Sequence, residues 1–343
     1  MGAAAMRLRI ERALHAIWYG PQRPPWVMRA LSRGYERVIN TPRPAQRPEV
    51  PVIIVGALVA GGGGKTPTVV AIAKALQAQG WRVAVISRGY GRRGRGLHAV
   101  EPGDDPFWVG DEPAMIAQLT GVQVWVCADR FRALKAAVTA GAEVVIADDG
   151  LQHQALPRSF ECCVIDGQRG IGNAQLLPAG PLRQPLARLR MVDQVLVRGG
   201  DAEAMAQRLG IGRAHCHGLR RQSLGLRQLN SDRCEAVDFF AGKSVTLMTG
   251  IADPEAFADT LRSMGMNLIE QRRFADHHRY RAEDAQGLLG PVVVTEKDAV
   301  KLKQIGVQAD LWILMSEMVL PDAMIEQVLA HVHAFRGEAA DCD

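Results

Sequence analysis

A run of glycines followed by lysine and threonine is the first feature of this sequence that could do chemistry. The stretch VPVIIVGALVAGGGGKTP covers Val50–Pro67 and begins with an apolar run of strand length. In such a loop, backbone N–H groups can point at phosphate oxygens, the lysine can reach the β- and γ-phosphates, and the threonine hydroxyl can bind Mg²⁺. We therefore expect a nucleoside triphosphate with Mg²⁺ to be bound by Gly61, Gly62, Gly63, Gly64, Lys65 and Thr66.

The loop departs from the phosphate-loop pattern at its first position. The glycine that usually opens the pattern is Val59 here, whereas the tight part of the loop is intact. Pro67 falls in the first turn of the helix that should follow, where proline is tolerated. A plain glycine-rich turn is the alternative interpretation.

A second apolar strand ends in two carboxylates. The stretch EVVIADD places Asp148 and Asp149 after a buried run, an arrangement that sets a carboxylate beside the Mg²⁺ held by the loop threonine. We expect Thr66 and Asp148 to be the metal ligands, and the division of labour between Asp148 and Asp149 stays open. Together and in this order, the two motifs predict a P-loop enzyme.

Phosphoryl transfer to an alcohol also needs a group that accepts the hydroxyl proton. The stretch VGDEPAM offers Asp111 and Glu112 at a predicted helix start, where an N-cap aspartate is the alternative. The stretch FADHH offers Asp276, His277 and His278, and a histidine beside a carboxylate can orient it or tune its pKa. The residue types alone leave this choice open.

The elements that must position these residues alternate between strands and helices. Apolar runs end before GGGGKT, SRGY, ADR, DDGLQH and IDG, and helical patterns begin near Pro67, Asp111 and Asp129. This alternation is typical of a parallel sheet with crossover helices, whose ligands bind at the carboxyl edge. We expect the polar segments, including Arg88 in SRGY, to meet at that edge.

The predicted fold class is α/β, with a P-loop parallel-sheet kinase core, a second, smaller α/β domain and an N-terminal amphipathic membrane-associating segment. We expect the N-terminal segment over residues 1–49, the core over 50–213, a connection over 214–240 and the second domain over 241–343. The connection carries only short, basic, hairpin-like pieces, whereas clear strand and helix patterns resume near Val245.

The N-terminal segment is basic and amphipathic. Before Val50, nine arginines face three glutamates, a net charge of +6, so the rest of the chain is near neutral. Apolar residues recur at helical spacing around residues 6–17 and 27–38, and Trp18 and Trp26 are among the interfacial aromatics. This pattern predicts helices that lie on anionic lipid, and the near-neutral body argues against nucleic acid. A helix packed on the protein's own core is the alternative.

Several other classes of protein are not indicated. No apolar run is long enough to span a bilayer and no secretory signal is present, so we expect the chain on the cytoplasmic side. The six cysteines form no C-x-x-C pair, which favours buried, reduced thiols. GYGRRGRG matches G-x-G-x-x-G, but no apolar helix follows it, so a dinucleotide site is rejected. In VTEKD the lysine is one place late for a guanine-binding motif, so GTP is not indicated.

Taken together, the motifs resemble one family. VISRGYGR, VGDEPAM, ADDGLQH, LLPAGPLRQPLARL, FADHH and VTEKDAVK follow the glycine-rich loop in family order, between Pro51 and Lys301. They resemble the tetraacyldisaccharide 4'-kinases, or lipid A 4'-kinases. The resemblance implies transfer of the ATP γ-phosphate to the 4'-hydroxyl of a tetraacyldisaccharide 1-phosphate. It also implies a peripheral or monotopic enzyme at the cytoplasmic face of the Gram-negative inner membrane, which we expect to be a monomer.

The resemblance implies roles for single residues. Lys65 and Asp111 are catalytic, with Asp111 as the general base and His277 as its helper, because the family has an aspartate–histidine pair. The substrate side is expected to consist of Asp149, His153, Arg183 and Arg88.

Two positions depart from the family pattern. Gly63 stands where a bulkier residue is usual, and Gln184 in GPLRQP stands where glutamate is usual, so no carboxylate role is assigned to Gln184. A membrane-bound P-loop ATPase switch without a small-molecule acceptor is the alternative function. In such a switch, DDGLQH and FADHH have no obvious role.

Overall fold

The computed structural model describes residues 10, 13–39, 47–61, 64–307 and 309–340. Contacts divide the chain into two compact units. Unit 1 comprises Met1–Arg88, Asp129–Arg220 and Val319–Asp343, and unit 2 comprises Gly89–Ala128 and Arg221–Met318. Residues 89–128, which the sequence places in the kinase core, thus cluster with C-terminal residues. The domain boundaries given by the sequence remain predictions.

Strands and helices alternate along the chain. The strands are β1 (Val52–Gly56), β2 (Val83–Ser87), β3 (His98–Val100), β4 (Gln123–Val126), β5 (Val144–Asp148), β6 (Phe160–Asp166), β7 (Gln194–Arg198), β8 (Cys216–Gln228), β9 (Cys234–Glu235), β10 (Ser244–Thr249), β11 (Asn267–Arg273), β12 (Val292–Thr295) and β13 (Leu311–Val319). The helices are α1 (residues 13–19), α2 (Trp26–Ile39), α3 (Lys65–Ala78), α4 (Pro106–Val109), α5 (Asp111–Thr120), α6 (Arg130–Thr139), α7 (Ala202–Leu209), α8 (Pro254–Ser263), α9 (Glu296–Gln304) and α10 (Asp322–Ala340).

Unit 1 is built on a parallel sheet in the order β8-β7-β6-β1-β5-β2. Its central strands β1 and β5 are buried along their whole length, as expected for apolar strands covered on both faces. Parallel pairing brings the carboxyl ends to one edge, so the loop after β1, Arg88 after β2 and Asp149 after β5 share that edge. The predicted α/β class is confirmed.

Unit 2 has its own sheet and core. Its strands lie in the order β11-β10-β12-β13 with parallel pairing, and a separate antiparallel pair joins β3 to β4. Successive strand residues point to opposite faces, and β12 contributes Val293 to one apolar cluster and Val292 and Val294 to another. The sheet therefore has an apolar layer on each face.

Residues 214–240 contain more regular structure than the sequence predicts. β8 extends over 13 residues, and its end pairs antiparallel with β9, Leu226 opposite Glu235 and Arg227 opposite Cys234. Most β8 side chains are polar or exposed, so its hydrophobic period is too weak to predict a long strand. The hairpin-like pairing at its end agrees with the prediction.

Helix α2 presents three different faces. Ser32 is buried: its hydroxyl donates to Leu176 O at 2.8 Å and accepts from Ala179 N at 3.1 Å, while the Tyr35 hydroxyl donates to Arg183 O at 2.9 Å.

A second face is apolar and exposed, and consists of Val27, Leu31 and Val38. A third face carries the exposed arginines Arg29, Arg33 and Arg37. The helix packs against the rest of unit 1 through its polar face, and the apolar stripe is exposed to solvent, with Leu31 58% and Val38 72% exposed.

Part of the predicted N-terminal pattern, including Met6, lies outside the described residues. Within the described residues, no helix is both long and apolar enough to cross a bilayer.

Replacing Ile146 in β5 should strongly destabilise unit 1. Its side chain is fully buried, and the residue lies opposite Ile53 and Val85 in register. Ile146→Ala should lower the free energy of unfolding by about 2–5 kcal/mol through lost burial and a residual cavity. Denaturant titration checks this, with the half-exposed Ile269→Ala on β11 as the control, whose effect should stay below about 1 kcal/mol. Equal effects of the two changes would contradict the assigned packing.

Candidate active site

The loop between β1 and α3 has the backbone of a phosphate cradle. Gly61 has φ 73° and Gly64 has φ 104°, both in the left-handed region that favours glycine. A Cβ on Gly64 would lie 2.8 Å from Cδ of Arg198, so a larger residue would also have to displace that side chain. Gly62 and Gly63 lie outside the described residues. α3 begins at Lys65, two residues before the predicted start, so its positive end lies at the loop.

Thr66 and Asp148 form an oxygen pair at this loop. The Thr66 hydroxyl donates to Oδ2 of Asp148 at 3.5 Å, and both side chains are buried. A hydroxyl and a carboxylate are hard oxygen ligands, and Mg²⁺ commonly binds one or two carboxylates together with substrate phosphates and water. The described residues contain no group of three or more His, Cys, Asp or Glu that could hold a metal ion. The donor set therefore fits Mg²⁺ rather than a metal held by a full protein cage.

Asp149 stands in a ring of cations. Arg183 Nη1 donates to its Oδ1 at 2.7 Å and to its Oδ2 at 3.0 Å, and Lys65 Nζ lies 3.6 Å from Oδ1. Burial raises the pKa of Asp149, but the charges of Lys65, Arg183 and Arg130 outweigh burial and hold that pKa below its usual value. The backbone of Asp149 has φ 51°, a strained conformation that aims this carboxylate at Lys65 and Arg183.

Arg130 is a site residue that the sequence did not single out. It is the first residue of α6 and is buried. The negative charges of Asp149 and Asp148 stabilise its guanidinium, whereas the positive charges of Arg88 and Arg183 destabilise it. An arginine stays protonated under these conditions. The sequence signal was the ADR segment after an apolar run, but only the fold shows that Arg130 turns inward while Asp129 caps the helix.

The remaining predicted substrate residues lie near Arg130. Arg88 directly follows β2 and is exposed, and its positive charge is close enough to repel that of Arg130. His153 is partly buried, and burial followed by the charge of Arg130 lowers the pKa of its imidazole, which favours the neutral ring at pH 7. Unit 1 therefore brings Lys65, Asp148, Asp149 and Arg183 into direct contact or close range, with Arg88 and His153 at the periphery of the cluster.

In unit 2, Asp111 and His277 form a pair. His277 Nδ1 lies 3.0 Å from Oδ2 of Asp111, although the two residues are 166 positions apart in sequence. His277 has φ 60°, and its backbone N–H donates to Oδ1 of Asp276 at 3.0 Å, which holds the ring in place. Asp276 in turn binds Lys297 Nζ at 2.8 Å.

The structure distinguishes His277 from His278. His278 Nε2 lies 3.0 Å from Oδ2 of Asp284, and its ring stacks on Phe274 with centroids 4.3 Å apart. His278 therefore supports the local packing, whereas His277 is the histidine that reaches Asp111.

Asp111 is not the N-cap of its helix. Gly110 occupies that position and Asp111 is the first helical residue, so the capping alternative does not account for this aspartate. Burial raises the pKa of Asp111, but the hydrogen bond from His277 and the charges of Lys301, His277 and Lys297 outweigh burial and lower that pKa below its usual value. The carboxylate is thus ionised and can accept a proton.

The structure also places three other sequence features: the glycine-rich stretch after β2, the VTEKD segment and Gln184. Residues 89–97 lead into β3 rather than into a helix, in agreement with rejecting a dinucleotide site. In VTEKD, Thr295 caps α9 and Asp298 is fully buried, so Asp298 is not placed to bind a guanine. Gln184, the departure from glutamate, is buried as a neutral amide.

Comparison with known proteins identifies the family. A model of tetraacyldisaccharide-1-P 4'-kinases matches residues 25–333. The tetraacyldisaccharide 4'-kinase of Stenotrophomonas maltophilia (strain R551-3) is 40% identical over 309 residues, which cover 84% of this chain and 88% of that protein. The protein of the same name from Xylella fastidiosa (strain 9a5c) is 41% identical over 306 residues, which cover 86% of this chain and 88% of that protein.

A solved structure agrees with these matches. The crystal structure of the "apo" form of LpxK from Aquifex aeolicus in complex with ATP aligns with a TM-score of 0.73 and 26% identity, and covers 89% of this chain and 97% of that chain. The family resemblance seen in the sequence and the expected kinase class are confirmed. The chain belongs to the tetraacyldisaccharide-1-P 4'-kinase family.

Proposed function

We propose that the chain transfers the γ-phosphate of ATP to the 4'-hydroxyl of a tetraacyldisaccharide 1-phosphate, a precursor of lipid A. The observation that carries this proposal is the contact of Thr66 with Asp148 beside Lys65, in a chain whose relatives are 4'-kinases. The solved relative was crystallised with ATP, which supports ATP as the nucleotide.

The loop and its lysine bind the triphosphate in this proposal. The ligand groups are the N–H groups of Gly61, Gly62, Gly63 and Gly64, together with Lys65. Lys65 is paired with Asp149, and a phosphate oxygen offers it an alternative anionic partner at the loop. Thr66 and Asp148 would hold Mg²⁺, which neutralises charge on the phosphate oxygens when bound.

Arg183 and Arg130 stabilise negative charge around the transferred group. Arg183 is held in place by two hydrogen bonds to Asp149, and Arg130 is fixed by burial at the start of α6. Guanidinium groups that are already oriented stabilise the charge that develops in phosphoryl transfer without reorganisation. Arg88 and His153 complete the substrate side of this cluster.

Asp111 accepts the proton of the acceptor in the proposed reaction. The 4'-oxygen forms a bond to the γ-phosphorus, the bond from that phosphorus to the β–γ bridging oxygen breaks, and the hydroxyl proton passes to the Asp111 carboxylate. His277 orients that carboxylate through its Nδ1 contact. In a loose transition state the hydroxyl proton leaves late, so a weakly basic carboxylate suffices.

The exposed stripe of α2 supports association with a membrane. Val27, Leu31 and Val38 are exposed on one face of α2 and Arg29 and Arg33 on another, so the helix offers both apolar and basic groups to a surface of anionic lipid. A four-chain acceptor stays in a bilayer, so the enzyme must reach it there. We therefore place the protein, as a monomer without nucleic-acid partners, at the cytoplasmic face of the inner membrane as a peripheral or monotopic enzyme.

The direct test is transfer from γ-labelled ATP to tetraacyldisaccharide 1-phosphate. The wild-type protein should label the acceptor at the 4' position in a Mg²⁺-dependent way, and Lys65→Met should lower kcat by about 100-fold or more. Lys74→Met, on an exposed site of the same helix, is the matched control and should keep full activity. Unchanged transfer by Lys65→Met would contradict the proposal, and ATP hydrolysis that needs no acceptor would favour the ATPase-switch alternative.

Asp111→Asn should remove the proton acceptor without removing nucleotide binding. We expect kcat to fall by about 10²- to 10⁴-fold, the usual contribution of a general base, with little change in KM for ATP. Glu112→Gln tests the neighbouring carboxylate and should be close to wild type. Steady-state kinetics on the labelled acceptor measures both variants, and equal losses in the two would rule out a specific role for Asp111.

Loss of the apolar stripe should weaken lipid binding. The triple change Val27→Asn, Leu31→Asn and Val38→Asn should reduce co-sedimentation with vesicles containing phosphatidylglycerol by at least about tenfold, because burying side chains of this size contributes about 1.5–3 kcal/mol each. The control makes the same change at three exposed apolar sites of unit 2, Leu224, Ile269 and Leu289. Wild-type sedimentation of the α2 variant would refute the assigned membrane face.

A further inference from the structure

A fully buried carboxylate, Asp298, lies in unit 2 in the first turn of α9. The side chain of Asp298 is 0% exposed, and four donors contact its two oxygens. The Thr249 and Thr295 hydroxyls donate to Oδ2, each at 2.7 Å. The Tyr280 hydroxyl donates to Oδ1 at 2.8 Å and the Gly250 N–H donates to the same oxygen at 3.0 Å. This saturated network fixes Asp298 in place.

Lys301 lies between this anchored carboxylate and Asp111. Its side chain is 9% exposed, and Nζ is 3.8 Å from Oδ1 of Asp298 and 3.6 Å from Oδ2 of Asp111. Residues three apart share a helix face, so α9 presents Asp298 and Lys301 on the same side. Tyr280 adds its ring face, 5.2 Å from Nζ.

The hydrogen bonds of Asp298 do not depend on this lysine. Four donors already fill the acceptor sites of its two oxygens, so the lysine is not required to satisfy them. An ammonium group that is nearly buried is retained only where anionic partners offset its desolvation. The second carboxylate within 4 Å of Nζ among the described residues is Asp111, and this 3.6 Å contact is an ion pair rather than a hydrogen bond.

Both contacts reach the same oxygen of Asp111. His277 Nδ1 lies 3.0 Å from Oδ2 of Asp111, and the shortest contact of Lys301 Nζ with Asp111, 3.6 Å, is to the same oxygen. The hydrogen bond from His277 and the positive charge of Lys301 both favour an orientation of the carboxylate in which Oδ2 faces these two cations. They leave Oδ1 as the oxygen that can face a proton donor.

We propose that Lys301 is a positioning residue for Asp111. Anchored beside Asp298, its ammonium group holds Oδ2 of the Asp111 carboxylate together with His277, so that Oδ1 accepts the hydroxyl proton. The proposal rests on the proposed kinase function and assigns to the VTEKDAVK segment a role in proton transfer. Lys301 takes no part in the proton transfer itself, and the transferred proton stays on the Asp111–His277 pair.

The charged groups around Asp111 agree with this assignment. His277 approaches from the segment after β11, Lys301 and Lys297 from α9, and the Tyr280 hydroxyl belongs to the Asp298 network. Burial first and then Asp298 raise the pKa of Tyr280, so its phenol stays protonated and donates. Lys297 is bound to Asp276 at 2.8 Å, so Lys301 is the α9 lysine in direct range of Asp111.

The test is the pH dependence of kcat for acceptor phosphorylation in Lys301 variants. In wild type, nearby cations hold the pKa of Asp111 low, so activity is lost only as pH falls through that low value. Lys301→Met removes one cation, so the acidic limb of the profile should move to higher pH and kcat at neutral pH should fall by about tenfold or more. KM for ATP should not change.

Further variants separate positioning from folding. Lys301→Arg keeps the charge and should return the acidic limb toward the wild-type position, whereas Lys301→Gln should behave like Lys301→Met. Lys303→Met, an exposed change on the same helix, should match wild type. If Lys301→Met does not fold, the comparison of Lys301→Gln with Lys301→Arg gives the same discrimination.

A double variant tests whether the effect passes through Asp111. In an Asp111→Asn background, Lys301→Met should cause little further loss of kcat, because the group it positions is already gone. An acidic limb that stays at the wild-type pH in Lys301→Met and Lys301→Gln, or a full additive loss in the double variant, would overturn the proposal. Absence of transfer by the wild-type protein would instead negate the kinase function, so the two failures are distinguishable.

Discussion

Each candidate cluster depends on one partly buried carboxylate whose negative charge is offset by neighbouring cations. In unit 1, Lys65 and Arg183 hold Asp149 as an anion at the end of β5. In unit 2, His277 and Lys301 do the same for Asp111 at the start of α5. In each case burial alone would raise the pKa, and the surrounding cations reverse that effect. Both carboxylates are therefore ionised and held in one orientation. In unit 1, Lys65 can exchange Asp149 for a phosphate oxygen, and in unit 2, Asp111 can accept a hydroxyl proton.

The sequence predicts most of unit 1 because its signals are local. The loop with Lys65 and Thr66 and the strand ending in Asp148 are each defined by a few adjacent residues, and their order fixes a parallel sheet. The meeting of Thr66 with Asp148 then follows from strand pairing, since Val55 lies opposite Asp148 in register. Family resemblance supplied the pairing of Asp111 with His277, which spacing alone could not give.

The parts that the sequence does not predict depend on distant contacts. Arg130 and Lys301 look like ordinary helix residues, and only tertiary packing makes them buried cations beside carboxylates. The sequence does not predict β8, because few of its residues are buried and its formation depends on neighbouring strands rather than on its own periodicity. Residues 89–128 join unit 2 through contacts that no local motif encodes.

The central claim is that phosphate passes directly from ATP to the acceptor oxygen in one displacement. The measurement that tests it most directly is the stereochemical course at phosphorus, using ATP made chiral at the γ-phosphate with oxygen isotopes. A single in-line displacement predicts inversion of configuration in the 4'-phosphorylated product. Retention would require a phosphorylated protein side chain as an intermediate and would contradict the account.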